Sequence, residues 1–290
     1  MGSEMGSMLT RRELVVQGSL ALASCSPLLR ALARQYATTS HCALGAYSTQ
    51  PLGDLEREVG HRLEIQSKFV AWTEPFRPDP HRSTLIAWDG RRDLARISAG
   101  RWDAMLRRRA RECREHRRRI YLRWAAEFNG EWNPCFGRPR QFVAAWRHIV
   151  RVFRAAGANN VRFVWCPFAA PGWRRYYPGD RFVDWVGMDG YNWGTARSWS
   201  RWQSFGEIFG PLYADYAGRK PLMICETGCA EVGGDKAAWI RDLGSELAGP
   251  FSKVRGLVWF DADKETDWRI GSSAGALAAF RWVIAGPRYS

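Results

Sequence analysis

The stretch PLMICETG, residues 221–228, carries a glutamate at the end of a short apolar run and continues at once with small and polar residues. A second stretch, YLRWAAEFNGEW at residues 121–132, presents Glu127 in the way that the first presents Glu226. Carboxylates at the ends of buried parallel strands are typical of (β/α)8 barrels, whose functional residues follow the carboxyl ends of the strands. The two stretches therefore predict two strands of one barrel.

Six further apolar runs of strand length extend this pattern, with amphipathic segments between most of them. Alternating strands and helices predict a parallel sheet, and eight repeats predict that the sheet closes. The links after the second and fifth strands are irregular, so we expect no full helix there. The prediction is a single-domain α/β protein, a (β/α)8 TIM barrel over residues 38–290, with strands at Cys42–Tyr47, Lys68–Trp72, Thr84–Trp88, Ile120–Ala126, Val161–Pro167, Trp185–Asp189, Leu222–Cys225 and Gly256–Phe260.

Residues 1–37 are interpreted as an export signal outside the barrel. Arg11 and Arg12 precede a short apolar stretch over residues 14–23. This order resembles a twin-arginine signal, and the stretch is too short to span a membrane permanently. LASC at residues 22–25 also resembles a lipobox that lipidates Cys25, whereas ALA at 31–33 suits a signal peptidase. We expect an exported protein, either periplasmic, secreted or lipid-anchored through Cys25; the alternative is an arginine-containing tail.

The formal net charge of +14 raises the alternative of a nucleic-acid-binding protein. Much of the charge lies in RRRARECREHRRR, residues 107–119, which continues a helical pattern that begins near Arg101. The segment has almost no aromatic residues and no groove-reading signature. A solvated outer helix face accounts for it, so no nucleic-acid partner is expected. A nucleic-acid binder would instead show steeply salt-dependent DNA binding.

Neither a metal nor a cofactor is expected. The seven cysteines form no CxxC pair and no spacing with histidine that is typical of a zinc site. The sixteen tryptophans are numerous for a core alone, and flat aromatic faces suit a sugar-binding cleft. We expect at least half of them to pack inside the protein and the rest to include cleft residues.

Five segments occur in the order and spacing of a barrel: ISAGRWD at 97–103, RWAAEFNGEW at 123–132, VDWVGMDGYNW at 183–193, ETG at 226–228 and VWFD at 258–261. Together they resemble glycoside hydrolase family 26, a clan A family of retaining (β/α)8 glycosidases typified by β-mannanases. The resemblance runs from about Ala43 to Tyr289. It implies a monomeric endo-acting enzyme that hydrolyses a β-1,4-linked polysaccharide of the mannan type without a cofactor.

The resemblance also implies roles for the two strand-end glutamates. Glu226 is expected to attack the anomeric carbon, and Glu127 to protonate the leaving oxygen and then to activate water. Retention of configuration needs two carboxyl groups about 5–5.5 Å apart, which the ends of the fourth and seventh strands can provide across the barrel mouth. Tyr191 is expected to be the hydrogen-bond partner of Glu226, as in the family.

Five more residues are predicted to bind substrate. Trp259 follows the eighth strand and is expected to form a floor under the sugar at the cleavage point. Asn129 either contacts the sugar, orients the acid or makes a turn. Trp132 and Trp72 either line the cleft or pack. Arg123, on the strand of the acid, is expected to supply positive charge to the mouth.

Ala126 is a departure from the family pattern, which has a histidine just before the acid/base glutamate. Because that histidine normally helps to hold the sugar at the cleavage site, its loss weakens the expectation of mannan more than that of hydrolysis. The alternatives are a related β-glucanase or xylanase and a non-catalytic polysaccharide-binding barrel. The presence of Glu127, Glu226 and Tyr191 favours an enzyme.

Overall fold

The structure is a computed structural model that describes residues 40–90 and 93–289. The export signal predicted over residues 1–37, with Cys25, lies outside the described residues. Within the described part of the chain, no helix is long and apolar enough to cross a membrane.

Eight parallel strands follow one another around a closed barrel, and the eighth strand pairs with the first. The closing pair is extended, from Ala43 opposite Gly256 to Ser48 opposite Asp261. The predicted (β/α)8 fold is thereby confirmed. The strands are β1 Ala43–Ser48, β2 Ile65–Val70, β3 Ser83–Trp88, β4 Ile120–Trp124, β5 Val161–Trp165, β6 Trp185–Asp189, β7 Leu222–Thr227 and β8 Val254–Asp261.

Helices link most of the strands. Over residues 40–90 and 93–289 they are α1 Leu52–Val59, α2 Leu94–Ser98, α3 Asp103–Glu115, α4 Pro139–Ala155, α5 Phe205–Tyr216, α6 Lys236–Ala248 and α7 Ala274–Ile284. After β2 the chain reaches β3 through an irregular loop, and after β5 it forms only two short 3-10 helices, Trp173–Tyr176 and Asp180–Phe182. The irregular links predicted after the second and fifth strands are therefore confirmed.

The second strand lies earlier than predicted, at Ile65–Val70 rather than Lys68–Trp72. Buried Ile65 and Ser67 alternate with more accessible neighbours, which is the period-two pattern of a strand. The prediction followed the apolar run at 69–72 instead. Trp72 consequently lies in the loop that leads to β3, where its side chain is no longer constrained to face the barrel mouth.

Buried side chains form two layers, as strands covered by helices require. The layer inside the barrel consists of Ile65, Leu85, Tyr121, Val164, Cys166, Met223, Cys225 and Val258. The larger layer lies between strands and helices and includes the fully buried Trp72, Trp88, Trp124, Trp146, Trp165 and Trp259. Nine of the sixteen tryptophans are buried, which agrees with the expectation that at least half of them pack.

The arginine-rich segment lies mostly on the outer face of α3, as predicted. Its exposed members within that helix are Arg107, Arg108, Arg111 and Arg114. Arg109 differs, because it is 2% exposed and donates a hydrogen bond to the Thr73 carbonyl at 2.7 Å. This arginine thereby anchors the irregular loop after β2 to the helix layer.

Candidate active site

A cleft of about 1060 Å³ opens at the carboxyl ends of the strands. Glu127, Asp189 and Glu226 line it together, and one carboxylate oxygen of each lies within 4.8 Å of the other two. The structure thus brings together the two glutamates that the sequence predicts as a pair. Their separation suits the short spacing, about 5–5.5 Å between carboxyl groups, at which one carboxylate can attack directly.

The turn after β4 holds Glu127 in a strained backbone conformation. Ala125 has φ 49° and Glu127 has φ 60°, in the left-handed region that non-glycine residues rarely adopt. The Ala125 N–H donates to the Trp88 carbonyl, and the Glu127 N–H donates to the Cys166 carbonyl, each at 2.9 Å. The backbone therefore changes its partner from β3 to the end of β5 within two residues. Such strain costs about 1–3 kcal/mol per residue and concentrates at functional sites.

Gly90 makes this turn possible because it has no side chain that would collide with Ala125. A Cβ atom at Gly90 would lie 2.1 Å from the Cβ of Ala125 and 2.8 Å from its Cα. Because the obstacle is backbone and a methyl group rather than a flexible side chain, a larger residue would push the turn out of place. The position of Glu127 therefore depends on a glycine in the preceding strand–loop unit.

The side chain of Glu127 lies in a poorly solvated part of the cleft. The indole Nε1 of Trp132 donates to its Oε2 at 2.7 Å. Burial raises the pKa of Glu127 to about 7, and the charge of Asp189 adds to the rise, whereas the Trp132 hydrogen bond and Arg123 oppose it. A carboxyl group that keeps its proton near neutral pH is suited to act as a general acid.

Glu226, at the end of β7, lies among hydrogen-bond donors. Its Oε2 accepts from the Tyr191 hydroxyl at 2.6 Å, and its Oε1 contacts the guanidinium of Arg123. Arg123 also donates to Asp189 at 2.5 Å. Burial raises the pKa of Tyr191 well above its usual value, so the hydroxyl remains a donor. A cation and a hydroxyl donor together favour the carboxylate form of Glu226.

Trp132 and Tyr191 lie in the cleft, where the sequence predicts them. Trp132 is 59% exposed, and its ring meets Phe168 edge-on with centroids 5.0 Å apart. Tyr191 lines the wall on the side of Glu226. Each of these residues contacts a different glutamate, so the two aromatic residues divide the cleft into an acid side and a nucleophile side.

Two polar residues predicted to bind substrate face the protein instead. Arg123 has no exposed surface and contacts carboxylates beneath the cleft. Asn129 donates to the carbonyls of Phe168 and Ala170 at 3.0 and 2.8 Å, and accepts from the Phe168 N–H at 2.9 Å. Both amide hydrogens of Asn129 are therefore used. Asn129 ties the turn after β4 to the loop after β5 and is a positioning residue rather than a sugar contact.

The sugar contacts predicted for Trp72 and Trp259 do not hold, because both rings are fully buried outside the cleft. Trp72 stacks on Trp88 with ring centroids 4.4 Å apart. Trp259 donates its indole proton to the Trp268 carbonyl at 2.8 Å and packs edge-on against Phe280 of α7. Successive side chains of a strand point to opposite faces, so Trp259 faces the helices.

Most of the aromatic lining of the cleft was missed by the sequence analysis. One missed residue, Phe260, follows Trp259 and shares the inner face of β8 with Val258, so strict alternation along the strand identifies it. The others lie mainly in loops, where no period links a residue to a face. The missed aromatic residues are Tyr47, Phe69, Phe168, Trp193, Trp199, Phe260 and Trp268.

Ala126 forms part of the cleft wall next to Glu127. Its methyl group can neither donate nor accept a hydrogen bond, so this position offers a sugar only a small apolar contact. The polar residues that line the cleft beside Ala126 include Asp89, Glu127 and Asn133.

Comparison with known proteins agrees with this geometry. A sequence model of glycosyl hydrolase family 26 matches residues 101–217. Endoglucanase H of Acetivibrio thermocellus is 37% identical over 270 residues, which is 83% of this chain and 30% of that protein. The β-1,3-xylanase TXYA of a Vibrio species is 24% identical over 213 residues, 66% of this chain and 45% of that protein. The chain thus spans less than half the length of these two relatives.

Solved structures share the fold at low sequence identity. GH26C from Muricauda sp. MAR_2010_75 superposes with a TM-score of 0.66 at 15% identity over 87% of each chain. The catalytic domain of the Bacillus sp. JAMB-750 GH26 endo-β-1,4-mannanase gives a TM-score of 0.63 at 14% identity over 86% of each chain. The family-model match across β4, β5 and β6 and the 37% identity to Endoglucanase H show that the chain belongs to glycosyl hydrolase family 26, whereas the solved structures show the shared fold.

Proposed function

We propose that this protein is an endo-acting retaining β-glycanase that hydrolyses its polysaccharide by double displacement. The observation that carries the proposal is the pair Glu127 and Glu226, whose carboxylate oxygens lie within 4.8 Å of each other in opposite surroundings. Two titratable groups whose surroundings separate their protonation states are the usual mark of an acid and a nucleophile.

In the first step, the carboxylate of Glu226 attacks the anomeric carbon and forms a glycosyl–enzyme ester. The glycosidic C–O bond breaks, and its electron pair stays on the leaving oxygen, which takes the proton of Glu127. The pKa of about 7 keeps that proton available near neutral pH. The leaving sugar then departs on the side of Trp132, since Trp132 and the acid share that side of the cleft.

In the second step, Glu127 is ionised and removes a proton from water, whose oxygen attacks the anomeric carbon. The ester bond to Glu226 breaks, and the carboxylate returns to the Tyr191 hydroxyl and the Arg123 guanidinium. Two displacements at one carbon restore the original configuration. These two donors stabilise the Glu226 carboxylate before it attacks and again when it leaves the ester.

For the substrate, we propose a β-linked glucan as the first candidate and a mannan as the second. Endoglucanase H is the relative with 37% identity, whereas the mannanase catalytic domain from Bacillus sp. JAMB-750 shares 14%. The alanine at position 126, where the family has a histidine, also favours a glucan over a mannan. A xylan is a third candidate because of the similarity to TXYA. We propose further that the predicted signal over residues 1–37 directs export of the chain. We also propose that the exported protein acts as a monomer.

The test is release of reducing ends by the purified protein from mixed-linkage β-glucan, carboxymethylcellulose, mannan and xylan. Glu226→Gln should lower the rate of hydrolysis by on the order of 10⁴-fold or more, as loss of a nucleophile does. Glu231→Gln is the matched control, because Glu231 is exposed and its carboxylate contacts Ser272 outside the cleft. NMR of the first product should show the β anomer, and an α anomer would exclude double displacement.

A second candidate function is a polysaccharide-binding barrel without catalysis, which Ala126 favours because it removes a sugar contact at the cleavage site. This candidate predicts that the wild type and Glu226→Gln are equally inert on all four polymers and equally retarded in gels that contain one of them. Hydrolysis that depends on Glu226 would exclude it.

A further inference from the structure

The two ends of the barrel carry opposite charge. Because all eight strands are parallel, their carboxyl ends meet at the cleft and their amino ends meet at the opposite face. The charged residues that line the cleft, among those that the structure describes, comprise six acidic residues and a single basic residue: Asp89, Glu127, Asp189, Glu207, Glu226, Glu265 and Lys264. In a chain with a formal net charge of +14, the excess of cations therefore lies outside the cleft.

The links that lead into the amino ends of four strands carry part of this excess. They are residues 116–119 before β4, 180–184 before β6, 217–221 before β7 and 249–253 before β8. The first link ends with the last three arginines of the arginine-rich segment, which lie beyond the end of α3. We name the cations of these links the basic face: Arg117, Arg118, Arg119, Arg181, Arg219, Lys220 and Lys253. All of them are exposed except Lys220, which is half-buried.

Few carboxylates balance the basic face. Within the same four links, the carboxylates are those of Asp180 and Asp184. Both aspartates are already paired with arginines. Before β2 and β3, residues 60–64 and 79–82 hold one arginine and one carboxylate each, so they add no net charge. The amino end of the barrel therefore has an excess of positive charge.

Three members of the basic face are available to a partner. The side chains of Arg117, Arg118 and Lys253 are exposed and form no hydrogen bond or ion pair within the part of the chain that the structure describes. Unpaired surface cations stabilise the fold little, whereas a cluster of them attracts a polyanion. Because the basic face is assembled from four separate links, it suits a broad anionic surface better than a single small anion.

The chain enters the barrel next to the basic face. Just before β1, the Ser40 hydroxyl donates to the carbonyl of Ser252 at 3.4 Å, beside Lys253. The predicted export signal, with its alternative lipidation site at Cys25, precedes Ser40 in the chain. One acyl chain binds a membrane only reversibly, and a basic patch can supply the second attachment. A membrane is therefore the anionic surface that the position of the basic face favours.

We propose that the basic face binds the headgroups of anionic phospholipids and places the barrel on a membrane with its cleft turned away from the lipid. Each basic residue near an anionic bilayer strengthens binding by about fivefold. The same bilayer repels the carboxylates of the cleft, so charge also sets the orientation of the barrel. The inference goes beyond the proposed function and does not depend on hydrolysis.

The test is co-sedimentation of the whole chain, residues 1–290, with vesicles of phosphatidylglycerol and phosphatidylcholine in equal parts and with vesicles of phosphatidylcholine alone. We expect the wild type to bind only the anionic vesicles and to leave them at about 1 M NaCl, where the screening length falls to about 3 Å. Arg117→Gln/Arg118→Gln/Lys253→Gln should weaken this binding by about 10- to 100-fold, since each lost cation removes about fivefold.

A control variant removes the same charge from the other end of the barrel. Arg96, Arg138 and Arg140 are exposed, and they follow the carboxyl ends of β3 and β4 in the chain. Arg96→Gln/Arg138→Gln/Arg140→Gln should therefore bind anionic vesicles like the wild type. Both triple variants should keep the unfolding temperature of the wild type, because the substituted side chains are exposed. The unfolding temperature thus separates loss of binding from loss of the fold.

If the two triple variants bind anionic vesicles equally, whether weakly or tightly, the basic face is not the docking surface and the inference is overturned. Equal binding of the wild type to both kinds of vesicle would overturn it as well. Retention of the wild type on immobilised polygalacturonate without binding to anionic vesicles would assign the basic face to an acidic polysaccharide instead of a membrane. None of these measurements uses hydrolysis, so their outcome is independent of the proposed function.

Discussion

Glu127 and Glu226 end two strands of the same barrel and line the same cleft, yet their surroundings are opposite. Glu127 follows a strained turn, has a single indole donor and is depleted of solvent, which raises its pKa to about 7. Glu226 lies near the end of β7, where the pairing with both neighbouring strands shifts register, and it receives a guanidinium and a phenolic hydroxyl. Identical side chains therefore acquire the properties of an acid and of a nucleophile from their neighbours alone.

The two surroundings are connected beneath the cleft. Asp189 adds to the rise of the pKa of Glu127, and the same Asp189 shares Arg123 with Glu226. One buried cation is thus shared by two buried carboxyl groups, and the third, Glu127, keeps its proton near neutral pH. Placing all three groups within 4.8 Å makes the full ionisation of the cluster unfavourable.

Removing the shared cation should have the largest effect. We expect Arg123→Met to lose about 3–5 kcal/mol of the free energy of unfolding at pH 7, because it leaves two buried carboxylates without a cation. Urea unfolding followed by tryptophan fluorescence measures this loss. The double variant Arg123→Met/Asp189→Asn should be more stable than the single variant, since only one buried carboxylate then remains.

The control for this prediction is Arg108→Met on the exposed face of α3, which should change stability by about 0.5 kcal/mol or less. If Arg123→Met does not fold, Arg123→Lys retains the positive charge and should fold with reduced stability. A loss for Arg123→Met no larger than that for Arg108→Met would mean that the cation does not hold the two carboxylates.

Neutralising the acid should have a smaller effect of opposite sign. The pKa of Glu127 is about 7 in the folded protein and near 4.5 in the unfolded chain, so the unfolded chain releases its proton first. Wild-type stability should therefore fall as the pH rises through this window and become level above pH 7. Glu127→Gln cannot ionise, so it should exceed the wild type by about 1–3 kcal/mol at pH 8 and by little at pH 4.5.

Chemical denaturation of both proteins across pH 4.5–8 measures that difference. Glu131→Gln provides the control, because Glu131 is exposed and lies outside the lining of the cleft. A stability difference between wild type and Glu127→Gln that does not grow with pH would contradict the raised pKa and, with it, the contrast between the two glutamates.

Removing the donor of Glu127 should have the smallest effect. The Trp132 hydrogen bond favours the ionised form of Glu127, so Trp132→Phe should raise the pKa of the acid further. The alkaline limb of kcat/KM against pH should then move upward by about one unit or less. Trp199→Phe is the control, since Trp199 is exposed in the same cleft and should leave the limb in place. A downward shift in Trp132→Phe would contradict this assignment.

Local pattern was sufficient to predict the barrel and to place Glu127 and Glu226 near the ends of β4 and β7, although β4 ends two residues earlier and β7 two residues later than predicted. Apolar runs that end in polar residues indicate buried strands from the local sequence alone. Glu127 and Glu226 could therefore be identified without knowledge of the residues that lie next to them in space. Tyr191 could be identified through the resemblance to the family. Phe260 also lay within reach, because a strand presents alternate residues to one face.

Patterns along the chain predicted the eight strands of the barrel, the two strand-end glutamates and the irregular links after β2 and β5. That Arg123 contacts Glu226 and Asp189 rather than sugar depends on the folded barrel, which brings β4, β6 and β7 together. The fold also gives Glu226 a guanidinium and a hydroxyl as partners and Glu127 a single indole, although Glu226 is the more buried of the two. The physical reason is that desolvation and hydrogen bonding depend on groups brought together from distant strands, which no local period encodes.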